Sequence, residues 1–190
     1  MNTKRCSWCG SDPLYVKYHD EEWGVPVYDD ATLFEFLLLE TFQAGLSWIT
    51  ILNKRENFRK AFDGFDYTKI AKYNQEKTDS LLLDAGIIRN KLKVHSAVTN
   101  AIAFQKTQDE FGSFSTYLWG FVGGKPIQNN LKSISDIPAN TLLSQRLSKD
   151  LKKRGFKFVG STVVYAYMQA TGMVNDHANF CYRNTQVQLN

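Results

Sequence analysis

Leu151-Lys-Lys-Arg-Gly155-Phe-Lys-Phe-Val-Gly160 is the stretch on which the fold turns. A basic helix leads into it from about residue 145, and an apolar helix leaves it toward 171, so two glycines bracket a tight turn between helices. Glycine lets a backbone approach a phosphate closely, and a helix beginning at Ser161 offers unpaired N–H donors at its positive dipole end. Within 149–157, Lys149, Lys152, Lys153, Arg154 and Lys157 oppose only Asp150, so this segment carries the whole net charge of +4. A concentrated basic site suits a nucleic-acid backbone better than diffuse basicity does. The plainer alternative is an αα-hairpin with a solvated basic face.

Working outward, Asp30 reads as the N-cap of an apolar helix over 31–43, which Gly45 breaks. Ser47 can cap the next helix, 48–62, with Trp48, Ile51, Leu52, Phe58 and Phe62 facing inward. Short helices are expected at 67–73 and 75–84, then a long amphipathic one from Asn90 to Phe111 carrying Leu92, Val98, Ile102 and Phe104. An aromatic helix at 114–121, a Gly/Pro/Asn loop at 122–140, a helix at 142–154 and a last one at 161–171, stopped by Gly172, complete the chain. Period-two alternation is not evident, and the expectation is an all-α fold forming one compact domain over 1–190. Residues 1–29 read as irregular and aromatic-rich, in need of an anchor.

Composition agrees with a globular chain: 190 residues, 43% hydrophobic, support one substantial core. The apolar runs are far too short for a membrane span, and Met1-Asn2-Thr3-Lys4-Arg5 has no apolar signal core behind it. With three cysteines and no such signal, a disulfide framework is not expected, and the reading is a cytoplasmic protein.

The anchor suggests itself in a metal-like set. His177 and Cys181 stand at i and i+4, ordinary zinc spacing, and Cys6 and His19 lie near the other end. Two Cys and two His would close a tetrahedral site, leaving no open position, so one Zn2+ held there would be structural. Cys9 completes a Cys-x-x-Cys with Cys6 and competes with His19 for the fourth position. His19-Asp20-Glu21 superficially matches the His-x-Glu of zinc deaminases, but the Pro-Cys-x-x-Cys they need downstream is missing. His95 falls mid-helix and reads as structural or solvated.

Glu40 shares a helical face with Leu33, Phe36 and Leu37, an expensive place for a carboxylate unless something binds or neutralises it. It is either a helix-end carboxylate that reaches solvent or the floor of a pocket. Trp8, Tyr15, Tyr18, Trp23 and Trp48 flank it in a stretch where aliphatic residues are scarce.

The chain resembles the type I 3-methyladenine DNA glycosylase family. The resemblance rests on Asp12-Pro-Leu-Tyr15, Tyr18-His-Asp20, Glu22-Trp-Gly-Val-Pro26, Gln43-Ala-Gly-Leu-Ser-Trp-Ile-Thr50, Lys54-Arg-Glu-Asn57, Asp84-Ala-Gly-Ile-Ile-Arg89, residues 151–160 and Val174-Asn-Asp-His177. It implies a helix-hairpin-helix glycosylase fold, with the hairpin at about 145–171, and a structural zinc on Cys6, His19, His177 and Cys181, which leaves Cys9 a bystander. The implied activity is excision of 3-methyladenine from alkylated double-stranded DNA, releasing the free base. Glu40 and Tyr18 are then expected at the reacting base, and Trp8, Tyr15, Trp23 and Trp48 around it, an electron-rich set suited to a flat or cationic base. Lys153, Gly155, Lys157, Gly160 and Ser161 are expected on the DNA backbone. Where bifunctional relatives carry a Schiff-base Lys this chain has Thr162, so strand cleavage is not expected. Asp176 lies near the place of the catalytic Asp of other helix-hairpin-helix glycosylases, but the resemblance to the type I family implies no such Asp, which leaves Asp176 a second choice. A monomer with no membrane partner is expected. The rival readings are a zinc-stabilised DNA-binding module without chemistry and a glycosylase of broader alkylated-base range.

Overall fold

The computed structural model describes residues 4–188. Its centre is α2 (Asp30–Gln43), in which Leu33, Phe34, Phe36, Leu37, Leu38, Leu39 and Phe42 are all buried. A helix apolar on every side must be wrapped by others, and α3 (Trp48–Ala61), α6 (Lys91–Phe111), α7 (Phe114–Gly120) and α9 (Ser161–Ala170) pack against it. Between them run α4 (Tyr67–Ile70) and α5 (Gln75–Leu83), with α8 (Leu142–Lys153) packed on α9 and a short α10 (Tyr182–Gln186) near the end.

Several expectations are corrected. Residues 1–29 are not irregular throughout, because Pro13–Glu21 forms a helix, α1, with Pro13 at its first position. Asp12 caps it, accepting from the N–H groups of Leu14 and Tyr15 at 2.9 and 3.1 Å. The cap of α2 is Asp29, which takes the Thr32 N–H at 2.8 Å. Asp30 instead turns its carboxylate across to α7, accepting from the N–H groups of Phe114 and Ser115 at 2.9 and 2.8 Å. Ser47 occupies the cap position of α3, yet its hydroxyl pairs with that of Thr50 rather than with a helix N–H. In α6 the buried face is Val94, Ala97, Ala101 and Phe104, while Leu92 and Ile102 are exposed. Small residues let this helix lie close to its neighbours.

The molecule is mostly helical. The departure from all-α is a two-residue parallel pairing of β1 (Ile127–Gln128), inside the expected loop, with β2 (Val174–Asn175) just after α9. It draws the 122–140 loop against the C-terminal segment. Gly172 makes the same corner possible, since at φ +69° a Cβ there would sit 2.4 Å from the Val25 backbone carbon.

Candidate active site and metal centre

Tyr18, near the end of α1, Glu40, in the last turns of α2, and Trp48, opening α3, converge with Trp8 and Trp23 of the N-terminal segment. With Tyr15, Gln43, Ile134, Ile137, Ala166 and Gln169 they line one cavity of about 280 Å³. All six residues expected at the base thus surround a single space. Gln43 stands in the Gln43–Thr50 block but was not singled out, and Ile134, Ile137, Ala166 and Gln169 had no signal in the sequence beyond ordinary helix or loop composition.

The aromatic wall is continuous. Trp8 lies 5.0 Å from Tyr15 and 4.9 Å from Trp23 between ring centroids, and Tyr18 lies 5.4 Å from Trp48. The indole N–H groups of Trp8 and Trp48 are buried without a partner among the described residues. Buried donors normally find an acceptor, so two orphans beside one cavity point to an occupant that supplies it.

Glu40 is the floor. It is 3% exposed, accepts no hydrogen bond among the described residues, and burial pushes its carboxyl up to about 8. The helix-end reading, with Glu40 reaching solvent, is therefore set aside. Burial, then the nearby Glu40, holds the Tyr18 phenol well above its ordinary range, so at neutral pH Tyr18 is a neutral donor. Glu40's neighbourhood is braced from outside. Arg55 joins Glu22 at 2.6 Å to Glu35 at 2.6 Å, tying the end of α1 to α2 and α3. Buried Lys93 donates to the carbonyls of Phe42 and Ala44 at 2.8 and 2.6 Å, capping α2 just beyond Glu40.

Behind the wall, Cys6, His19, His177 and Cys181 are all buried, with ligand atoms within 4.8 Å of one another. Cys6 Sγ and Cys181 Sγ stand 3.7 and 3.6 Å from His177 Nδ1, and Cys181 Sγ stands 3.5 Å from His19 Nε2. The S···N edge of a tetrahedron built on zinc bond lengths is about 3.6 Å, so the donor set fits such an ion. The second ring nitrogens are held as metal ligands require. His19 Nδ1 meets Asp20 at 2.7 Å, and His177 Nε2 meets the Trp23 carbonyl at 2.9 Å. Hydrogen bonding from Cys6 pulls the Cys181 thiol down, while the same bond and burial push Cys6 up. Cys9 stands apart from this group, its thiol donating to the Cys6 carbonyl at 3.1 Å.

At the α8–α9 turn the helix ends in two paired bonds, Phe156 N–H to Leu151 O and Gly155 N–H to Lys152 O, each at 3.0 Å. This is a Schellman closure, and Gly155 supplies its left-handed residue at φ +98°. Asn100 clamps the turn from α6, accepting the Lys157 N–H at 2.7 Å. Lys153 and Lys157 are exposed and make no ion pair among the described residues, and Gly160 is the N-cap of α9, ahead of Ser161. Arg154 belongs elsewhere. It pairs with Asp150 and Glu110 at 2.7 Å each and lies over the rings of Phe111 and Tyr117. The same α9 that begins at the turn reaches the cavity with Ala166 and Gln169, so turn and cavity lie roughly 12 Å apart along one helix.

Asp176 does not line the cavity. It is buried, and its carboxylate accepts from Asn129, Tyr165 and Gln169.

The family model described as methyladenine glycosylase matches residues 8–184. The chain is 48% identical over 178 residues to DNA-3-methyladenine glycosylase 1 of Escherichia coli (strain K12), covering 94% of this chain and 95% of that protein. It is 46% identical over 179 residues to the DNA-3-methyladenine glycosylase of Haemophilus influenzae, covering 94% and 97%. A crystal structure of 3-methyladenine DNA glycosylase I superposes with a TM-score of 0.92 at 48% identity, over 94% of this chain and 98% of that one. A single-residue variant of 3-methyladenine DNA glycosylase I, in complex with 3-methyladenine, gives 0.92 at 37% identity, over 97% and 98%.

Proposed function

This chain belongs to the methyladenine glycosylase family, and on that premise we propose that the Glu40 cavity receives the damaged base while the α8–α9 turn holds the DNA. The protein is a hydrolase of N-glycosyl bonds, excising 3-methyladenine in base excision repair. Methylation at N3 leaves the base cationic and already a good leaving group. The enzyme's task is therefore chiefly to extract and recognise it, at an unstacking cost of a few kcal/mol.

The single observation that carries the assignment is Glu40, buried at the floor of an aromatic cavity and without a partner among the described residues. A cationic base supplies what that carboxyl lacks. It stabilises the ionised form, and its exocyclic N–H donates to it. Trp8, Tyr15, Trp23 and Trp48 give stacking and cation–π contact of about 0.5–2 kcal/mol each, and Tyr18 presents a neutral hydroxyl. Glu40 is also the one carboxylate among the lining residues, so any proton transfer from the attacking water falls to it or to solvent.

We read the α8–α9 unit as a helix-hairpin-helix, with Lys153, Gly155, Lys157, Gly160 and Ser161 on the phosphate backbone. Exposed lysines, a glycine closure and the open N-terminus of α9 support this. Zinc is the metal assigned to Cys6, His19, His177 and Cys181. With every position of a tetrahedron filled by protein, it would supply cross-linking of the chain's two ends rather than chemistry at the base. Thr162 at the Schiff-base position supports a monofunctional glycosylase.

The test is release of 3-methyladenine from methylated duplex DNA. The wild type should free the base and leave an intact strand with an abasic site. DNA binding without release would leave only the binding-module reading.

A further inference from the structure

Two amides line the cavity beside the aromatic wall and Glu40: Gln43, whose Nε2 donates to the Leu46 carbonyl at 2.7 Å, and Gln169, which a buried carboxylate orients. Gln169 Nε2 donates to Asp176 Oδ2 at 2.7 Å, and the other donors to that carboxylate are Tyr165 Oη at 2.7 Å and Asn129 Nδ2 at 2.6 Å. A carboxylate only accepts, so Asp176 dictates which end of the Gln169 amide faces it. The carbonyl arm is left over. Gln169 Oε1 accepts no hydrogen bond among the described residues, and the side chain lines the cavity. Asp176, 1% exposed and surrounded by donors, is consumed by this arrangement rather than available to activate water.

Taking the cavity as the base pocket, we propose that Gln169, oriented by Asp176, is a second hydrogen-bond acceptor for the exocyclic amine of the bound base, so that Glu40 and Gln169 together select 6-amino over 6-oxo purines. The two acceptors come from neighbouring helices, α2 and α9. An exocyclic amine carries two hydrogens and can donate to both. A carbonyl at the same position would face two acceptors and pair with neither, leaving buried polar groups unsatisfied. In this scheme Gln169 is a specificity residue and Asp176 a positioning residue.

Side-chain replacement at Gln169 should leave the fold in place, because its backbone carbonyl, not its side chain, receives the Gly24 and Gly172 N–H groups at 3.0 and 3.3 Å. The experiment is a tryptophan-fluorescence titration with free 3-methyladenine and free 7-methylguanine, a 6-oxo base, using the wild type, Gln169→Leu and Asp176→Asn. For Gln169→Leu, 3-methyladenine should bind about 10-fold more weakly, with 7-methylguanine unchanged. Asp176→Asn frees the amide to turn its NH2 toward the cavity, and should lower the ratio of the two affinities by at least as much while improving 7-methylguanine. Equal changes for both bases, or no change in the ratio, would overturn the proposal. Gln169→Leu decides alone if Asp176→Asn does not fold. A wild type that binds neither base would count against the pocket reading itself, a separate failure.

Discussion

At Glu40 the apolar spacing of α2 forces a carboxyl into the core, and the resulting shift sets two opposite pH dependences. The folded state holds its proton up to about pH 8, whereas the unfolded chain releases it near the ordinary value of 4.5. Between those values the folded state binds more protons, so stability falls as pH rises through the window, by at most about 5 kcal/mol. Glu40→Gln should remove this slope and raise Tm at pH 8, measured by thermal denaturation across pH 5–9. Catalysis runs the other way, since the ionised carboxylate accepts from the base. In the wild type kcat/KM should climb toward pH 8, and Glu40→Gln should flatten that climb and lower excision at least about 10-fold. An unaltered pH–rate profile in the variant would remove Glu40 from the chemistry. Glu40 was legible because periodicity exposes a charge on an apolar face. Gln169 was not, since an uncharged amide on an apolar helix gives no such contradiction and gains meaning only from Asp176 beside it.

Among elements, the α8–α9 turn was the most readable, as the glycine its closure needs at positive φ is a local requirement that sequence spacing encodes directly. Lys153→Ala and Lys157→Ala should each weaken binding to all duplexes alike and reduce the salt slope by about 1, measured by titration at several ionic strengths. Loss confined to particular sequences would contradict a backbone contact. Arg154, equally basic in sequence, should behave differently, because Asp150 and Glu110 already neutralise it. α1 was hidden, since its aromatic and charged residues face a pocket and a metal centre rather than one apolar layer. Asp30 misled for a related reason, because a cap carboxylate looks the same in sequence whether it serves its own helix or, as here, α7. At the far end of α9, Gly172→Ala must move the Val25–Pro26 backbone, and we expect a loss of more than about 3 kcal/mol in chemical denaturation.

Across the whole molecule, the feature spacing could not decide was which cysteine and histidine residues meet. Cys6-x-x-Cys9 and Cys6/His19 were equal on paper, and only the packing of α1 brings His19 inward while Cys9 turns to a backbone carbonyl. Elemental analysis should find one equivalent of zinc. His177→Ala should lose it and melt roughly 10 °C lower or more, while any folded fraction keeps its base preference. A metal-free wild type of normal stability would refute the assignment. The β1–β2 pairing escaped notice because two residues cannot show a period. The closure of the two ends also places the assembly of the cavity in time. The Trp23 carbonyl that steadies the cavity wall rests on His177, and the Lys4 carbonyl receives the Tyr182 N–H. Held by contacts with residues 177 and 182, the N-terminal wall of the cavity gains this support only once the end of the chain has been synthesised.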